Sequence, residues 1–137
     1  MKRIVLPLLL ALAFIAIAVV GTLMQRPASA RTIACADPAQ GCAFTHRGMP
    51  AQLRFSQRPQ PLKPFRLDVL APGARQAGAE LQMAGMNMGF SRYALHTTMP
   101  GTFSAELTLS VCVSGEQAWN LYLDLDGQRY VVPFRTV

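Results

Sequence analysis

Residues 102–113 read TFSAELTLSVCV, and this stretch decides the fold class. Its odd-numbered positions are all apolar, whereas the even-numbered positions from 102 to 110 are polar. Successive side chains of a β-strand point to opposite faces, so this alternation predicts a strand with one buried face. Residues 119–125, which read WNLYLDL, repeat the alternation and predict a second strand of the same kind.

The pair Asp126-Gly127 follows that second strand and predicts a hairpin, because both central positions of the favoured two-residue turn need a positive φ. Apolar runs between turn residues predict strands at 51–56, 65–70, 79–83, 90–97, 102–113, 119–124 and 129–134. Their spacing of roughly ten residues is typical of an immunoglobulin-like antiparallel β-sandwich. We therefore expect an all-β domain of about seven strands at 51–137, and an irregular cysteine-containing segment at 31–50.

The first thirty residues have a composition of their own. Residues 4–24 carry no charge and directly follow Lys2 and Arg3, which predicts an apolar helix behind a positive N-terminus. Ala28 and Ala30 offer small side chains for a signal-peptidase cut, whereas the length of the apolar stretch suits an uncleaved membrane anchor. Residues 1–30 are therefore a signal peptide or an anchor, and both place the rest of the chain outside the cytoplasm.

The charge pattern argues against nucleic acid as a partner. The chain has 13 Lys plus Arg against 7 Asp plus Glu, but Lys2, Arg3 and Arg26 belong to the leader. The remaining basic residues are scattered singly, without a run that would neutralise consecutive phosphates. A mildly basic surface facing anionic lipid explains them better. Because the carboxylates and the two histidines are dispersed as well, we expect no enzyme activity.

Methionine is concentrated in one part of the domain. Within residues 83–99 lie Met83, Met86, Met88, His96 and Met99, and thioether with imidazole is a soft ligand set that suits Cu(I). Glycines flank Met86 and Met88 and would let the backbone turn both sulfurs toward one ion. The pattern predicts a copper site of Met86 and Met88 with His96 and Met99. The alternative is packing, which the shared parity with Leu81 favours for Met83.

Three cysteines in an oxidising compartment raise the question of which two pair. Cys35 and Cys42 enclose a short loop that closes easily. Cys42 and Cys112 would instead tie the leading segment to the long strand at 102–113. The sequence contains no C-x-x-C motif, so a redox-active dithiol is not expected.

Several short motifs resemble the YtkA-like and FixH-like group of bacterial membrane-attached domains. They are PFRLDV at 64–69, LQMAGMNMG at 81–89 and PGTFSA at 100–105, with Gly115 and Trp119 before a final hairpin. The resemblance covers roughly residues 60–134 and implies an immunoglobulin-like fold on the periplasmic side of the bacterial inner membrane. It also implies a link to copper handling or respiratory oxidase assembly, and it favours a retained anchor and a Cys42–Cys112 disulfide.

Two functions follow from these observations. The first is a non-catalytic envelope accessory domain that binds Cu(I) and delivers it to an envelope protein partner. The second is a metal-free structural or protein-interaction module tethered to the inner membrane. Both require the N-terminal segment to bring the chain to the membrane.

Overall fold

A computed structural model describes residues 2–24, 29–86, 91–111, 115 and 117–136. Within these ranges the chain forms one helix, α1 (Lys2–Met24), followed by ten strands. The strands are β1 (Arg31–Thr32), β2 (Cys42–His46), β3 (Met49–Phe55), β4 (Phe65–Leu70), β5 (Ala77–Met83), β6 (Arg92–Ala94), β7 (His96–Met99), β8 (Thr102–Leu107), β9 (Ala118–Leu125) and β10 (Gln128–Arg135).

Helix α1 has the length and composition of a membrane-spanning segment. Its 23 residues extend about 34 Å at helical rise, slightly more than the roughly 30 Å of a bilayer's hydrocarbon core. In the part of the chain that the structure describes, no other helix is long and apolar enough to cross a membrane. The predicted apolar helix is therefore confirmed, and it is compatible with either a signal sequence or an anchor.

The strands form two five-stranded sheets in the described residues. The first sheet has the order β1-β10-β9-β5-β6, and the second has the order β2-β3-β4-β8-β7. The pairings within the sheets are antiparallel, except that β1 runs parallel to β10. The orders β3-β4-β8-β7 and β6-β5-β9-β10 are those of an immunoglobulin-like sandwich. The predicted fold class is confirmed.

The core lies between the two sheets and follows the predicted alternation. Trp119, Leu121, Leu123 and Leu125 of β9 all point inward and are buried. Residues 103, 105 and 107 of β8 do the same from the second sheet. Phe55 joins the two layers, because its ring lies 5.0 Å from that of Phe65 and 5.3 Å from that of Phe134. Burial of these apolar faces is the main stabilising contribution to the sandwich.

Two predicted strands differ from the structure. Residues 90–97 were expected to form one strand, but β6 and β7 belong to different sheets, and buried Leu95 crosses between them. Strand β8 ends at Leu107, and beyond it Leu109 makes an isolated bridge with Pro61. The last two residues of the predicted strand, 112 and 113, lie outside the described residues. Apolar and polar residues continue to alternate after Leu107, although the strand has ended there. The alternation therefore does not show where pairing between strands stops.

The segment at 31–50 is more regular than predicted. It contains β1, β2 and the start of β3, and β2 pairs with β3 from Cys42 opposite Leu53 to His46 opposite Met49. The inward positions of β2 are Cys42, Phe44 and His46, of which Phe44 is only half-buried. A histidine at an inward position breaks the apolar alternation, which explains why the sequence did not indicate this strand.

The chain that follows α1 enters the sandwich at one of its two ends. We call the end formed by the turns at 47–48, 71–76, 100–101 and 126–127 the helix-side end. The opposite end, formed by residues 83–86, 119 and 134, is the far end. Strand β1 enters beside Tyr130 and runs parallel to β10, which begins at Gln128. Arg31 follows Met24 by seven positions, so at most about 25 Å of extended chain separates the helix-side end from α1.

Candidate metal and partner site at the far end

The turn after β5 separates a buried methionine from an exposed one. Met83 faces Trp119 across the ladder and is 2% exposed, whereas Met86 is 44% exposed. The Met86 N–H donates to the Met83 carbonyl oxygen at 3.2 Å, which closes a four-residue turn. Gly85 takes φ +80° in this turn, a conformation that side chains other than glycine rarely adopt. The prediction that Met83 packs in the core is confirmed, and Met86 projects from the far end.

The structure does not bring all the predicted ligands together. His96 begins β7 opposite Ser104, and Met99 ends the strand opposite Thr102; both are exposed. Met99 lies near Gly101, whose carbonyl oxygen accepts the Ala71 N–H at 2.8 Å at the helix-side end. The length of β5 separates this end from Met86, about 20 Å at strand rise.

Met99 and Met86 are separated because of the direction that the chain takes after the crossing at Leu95. Strand β6 descends from the level of Glu80 to that of Gly78, and β7 continues toward the helix-side end. Met99 is therefore carried away from Met86, and His96 lies along an edge strand between the two ends. Met88 lies outside the described residues, so its pairing with Met86 stays a prediction.

The disulfide joins Cys35 to Cys42, with their Cα atoms 5.4 Å apart. This corrects the expected Cys42–Cys112 pairing; Cys112 lies outside the described residues. The enclosed loop contains a single 3₁₀ turn, Pro38–Gln40, whose preceding Asp37 accepts the Ala39 N–H at 3.0 Å. A local loop with its own cap brings the two thiols together without help from the distant strand.

Loss of this disulfide should destabilise the domain measurably. Replacing both Cys35 and Cys42 with serine is expected to lower the free energy of unfolding by about 2.5 kcal/mol, the loop-closure entropy for a crosslink of this length. Denaturant unfolding of the full chain in detergent micelles would measure the change. Cys112→Ser is the matched control and should leave the midpoint unchanged. A non-reduced peptide map that links Cys42 to Cys112 would contradict this assignment.

A groove of about 640 Å³ lies at the far end beside the turn that carries Met86. Its walls include Ala84, Trp119, Phe134, Asp37 and Arg58. The Ala84 N–H donates to the Ala118 carbonyl oxygen at 3.0 Å, so the groove and the Met86 turn share one backbone segment. Arg58 donates from Nε and Nη2 to one Asp37 oxygen at 3.1 and 3.0 Å. Five segments that are distant in sequence build this groove, and no local sequence signal predicts it.

Two carboxylates of the first sheet, Glu80 and Asp124, have structural partners. On the outer face of the first sheet, Arg129 contacts both Asp124 and Glu80, at 2.8 and 3.3 Å. Glu80 also pairs with Arg92 at 3.3 Å, and its side chain is only 8% exposed. The hydrogen bond to Asp124 contributes most to raising the pKa of Arg129, and the negative charges of Asp124 and Glu80 raise it further, whereas burial opposes them. The burial of Glu80 was not predicted, because alternation along β5 places Glu80 on the outer face, where a carboxylate is expected to be exposed.

His46 and Tyr130 form a buried polar pair near the helix-side end. His46 Nδ1 lies 2.8 Å from the Tyr130 hydroxyl oxygen, and that hydroxyl donates to the Thr45 carbonyl oxygen at 3.4 Å. The hydroxyl can therefore accept a hydrogen bond from the Nδ1–H of a neutral imidazole. Among the described residues, Nε2 has no hydrogen-bond partner. Burial first, and then the charge of Arg47, lower the pKa of His46 below its ordinary value, and Asp126 opposes this.

The lowered pKa of His46 predicts that the domain loses stability in mild acid. Because folding lowers the His46 pKa, the unfolded chain binds a proton that the folded chain excludes. The free energy of unfolding should fall as pH drops below about 6.5 and level off once the folded-state pKa is passed. Denaturant midpoints measured between neutral and mildly acidic pH would show this slope.

The two histidines of the chain supply both a test and a control. His46→Phe should flatten the slope, and His96→Gln should retain it because His96 is exposed on an edge strand. Asp126 affects the free energy of unfolding only in a lower pH range, because the Gln76 and Arg75 backbone N–H groups lower the pKa of its carboxyl. A slope that survives His46→Phe would contradict the role given to His46.

Comparisons of the chain with protein-family models, with curated proteins and with solved structures found no match. The family resemblance therefore rests on the quoted motifs.

Proposed function

We propose that this protein is a non-catalytic accessory domain of the cell envelope that binds Cu(I) through Met86 and Met88 and delivers it to an envelope protein. The observation that carries the proposal is the contrast between Met83 and Met86. Met83 fills the core, whereas Met86 stands 44% exposed on a glycine turn. Core packing accounts for the first methionine and gives no reason for the second.

The chemistry of the turn supports a soft metal ion. Thioether sulfur is a neutral, polarisable ligand that selects Cu(I) over the harder divalent ions. Two thioethers leave the ion open to a further ligand from a partner, which favours delivery over storage. The geometry supports a smaller ligand set than the sequence predicted, because Met99 lies at the other end of the sandwich.

The position of the turn supports delivery as well. Lys2 and Arg3 keep the N-terminus in the cytoplasm under the positive-inside rule, which puts the domain on the periplasmic side. With α1 retained in the inner membrane, the helix-side end stays near the bilayer and the far end is presented away from it. A partner in the envelope could then reach Met86 and the groove beside it together.

The groove favours a second candidate, a metal-free protein-interaction module tethered to the inner membrane. Its walls combine the partly apolar surface of Trp119 and Phe134 with the Arg58–Asp37 ion pair. Apolar anchors beside polar groups are typical of protein interfaces. In this alternative, Met86 contributes an adaptable apolar contact at the rim of the groove.

Competition with a chromogenic Cu(I) chelator distinguishes the two candidates. The full chain in detergent micelles, kept anaerobic with a reductant that spares disulfides, is expected to bind about one Cu(I) per chain. Met86→Leu with Met88→Leu should abolish binding because leucine keeps the apolar bulk and removes sulfur. Met49→Leu with Met99→Leu changes two exposed methionines at the helix-side end and should retain binding. Failure of the unmodified chain against even a weak chelator would favour the metal-free module.

A further inference from the structure

The helix-side end gathers positive charge around one carboxylate. Arg31 and Arg47 line the same hollow beside Tyr130 and the Asp126-Gly127 turn. Arg47 Nη1 lies 3.5 Å from Asp126 Oδ2, and the Arg75 N–H donates to Asp126 Oδ1 at 3.0 Å. The Arg47 guanidinium thus pairs with Asp126, Arg75 is held there through its backbone, and Arg31 lines the same hollow. Three arginines share this end with one carboxylate, so the cluster is net positive.

Two exposed methionines lie at the same end. Met49, at the start of β3, is 45% exposed and Met99, at the end of β7, is 64% exposed. A Cβ placed on Gly73 would lie 3.9 Å from the Met49 sulfur, so Met49 rests against the 71–76 crossover. Met99 adjoins the Gly101 turn that is hydrogen-bonded to Ala71 of the same crossover. The helix-side end therefore carries exposed apolar side chains as well as arginines.

The chain path keeps this end close to a bilayer whenever α1 is retained. Seven positions separate Met24 from Arg31, which limits the distance to about 25 Å. A tether this short gives the end a high effective concentration at the membrane surface, so even weak contacts would be populated.

We propose that the helix-side end docks on the bilayer surface. Arg31, Arg47 and Arg75 contact the phosphates of anionic lipid headgroups, and Met49 and Met99 enter the interfacial layer. Charge complementarity identifies the docking partner as an anionic lipid surface, because its phosphates bind guanidinium groups. The exposed thioethers suit the boundary between the headgroups and the acyl chains. The strands then stand away from the membrane, with the far end outermost. The proposal does not depend on copper binding.

Hydrogen exchange of the full chain in nanodiscs tests the proposal. Two membranes are compared, phosphatidylcholine alone and phosphatidylcholine mixed with phosphatidylglycerol. In the anionic membrane, amides at 47–49, 73–76, 99–101 and 126–128 should exchange more slowly than in the neutral one. High salt should remove the difference, because it screens exposed charges. Amides of the far end should exchange equally in both.

Matched charge variants separate docking from bulk charge. Arg31→Gln with Arg75→Gln should lower the docking equilibrium by about 25-fold, at about fivefold per arginine near an anionic surface. Arg54→Gln with Arg135→Gln removes the same charge from β3 and from the far end of β10, and should leave protection unchanged.

Three results would overturn the proposal. The first is equal exchange at the helix-side turns in neutral and anionic nanodiscs. The second is protection that survives Arg31→Gln with Arg75→Gln. The third is an equal loss of protection with the Arg54 and Arg135 pair, which would assign the effect to net charge alone.

Discussion

Phe55→Ala is expected to lower the free energy of unfolding by about 4 kcal/mol, the largest effect among the substitutions considered. Phe55 is fully buried at the end of β3, where its ring meets Phe65 of β4 and Phe134 of β10 edge-on. Alanine would remove the apolar contact between the two sheets, leave a cavity and eliminate both aromatic pairs.

Denaturant unfolding in detergent micelles, followed by the fluorescence of the single tryptophan, Trp119, would measure the loss. Phe44→Ala is a matched control, because Phe44 is only half-buried and contacts one ring, that of Tyr130, at 5.0 Å. It should cost less than half as much. A loss below about 1 kcal/mol for Phe55→Ala would mean that the two sheets do not depend on this contact.

Arg129→Met is expected to cost about 2 kcal/mol. Methionine keeps much of the side-chain stem but leaves Asp124 and the buried Glu80 carboxylate without this guanidinium. Removing one partner of a fully buried pair costs about 3–5 kcal/mol. The smaller figure applies here because Arg129 is 26% exposed and Arg92 still pairs with Glu80.

A double variant shows whether the effect arises at Glu80. Adding Glu80→Gln to Arg129→Met should recover part of the loss, since no buried charge remains to be neutralised. Arg66→Met is the matched exposed control: Arg66 pairs with Asp68 at 3.0 Å on the surface and should cost less than about 0.5 kcal/mol. Equal costs for Arg66→Met and Arg129→Met would contradict the importance assigned to burial.

The strands that could be predicted are those whose signal is local. Alternation identified β8 and β9, and Asp126-Gly127 identified the hairpin that joins β9 to β10. In the structure Asp126 and Gly127 take φ of +48° and +84°, as the predicted turn requires. The second role of Asp126, accepting the Arg75 and Gln76 N–H groups, depends on a crossover fifty positions away and has no local signal.

The features that sequence reasoning missed depend on contacts between distant segments. Strand β2 carries His46 at an inward position because Tyr130 of β10 supplies a hydrogen-bond partner. Residues 90–97 divide into β6 and β7 because β6 pairs with β5 at the edge of the first sheet and β7 pairs with β8 at the edge of the second. Neither fact can be read from the residues in the segment itself.

The same distinction explains the candidate site. The burial of Met83 follows from its parity with Leu81 along β5, and it was predicted correctly. The separation of Met99 from Met86 depends on the direction in which β7 runs after the crossing, which neighbouring residues do not encode. Proximity in sequence therefore suggested a larger ligand set than the fold brings together.

Methyl NMR of methionine during a Cu(I) titration tests the central claim most directly. The full chain, labelled at its methionine methyl groups and held in micelles, should show shifts at Met86 and Met88. Met49, Met83 and Met99 should remain unchanged, because two lie at the helix-side end and one is packed in the core. Shifts confined to Met49 and Met99, or no shift at all, would contradict copper binding at the far end.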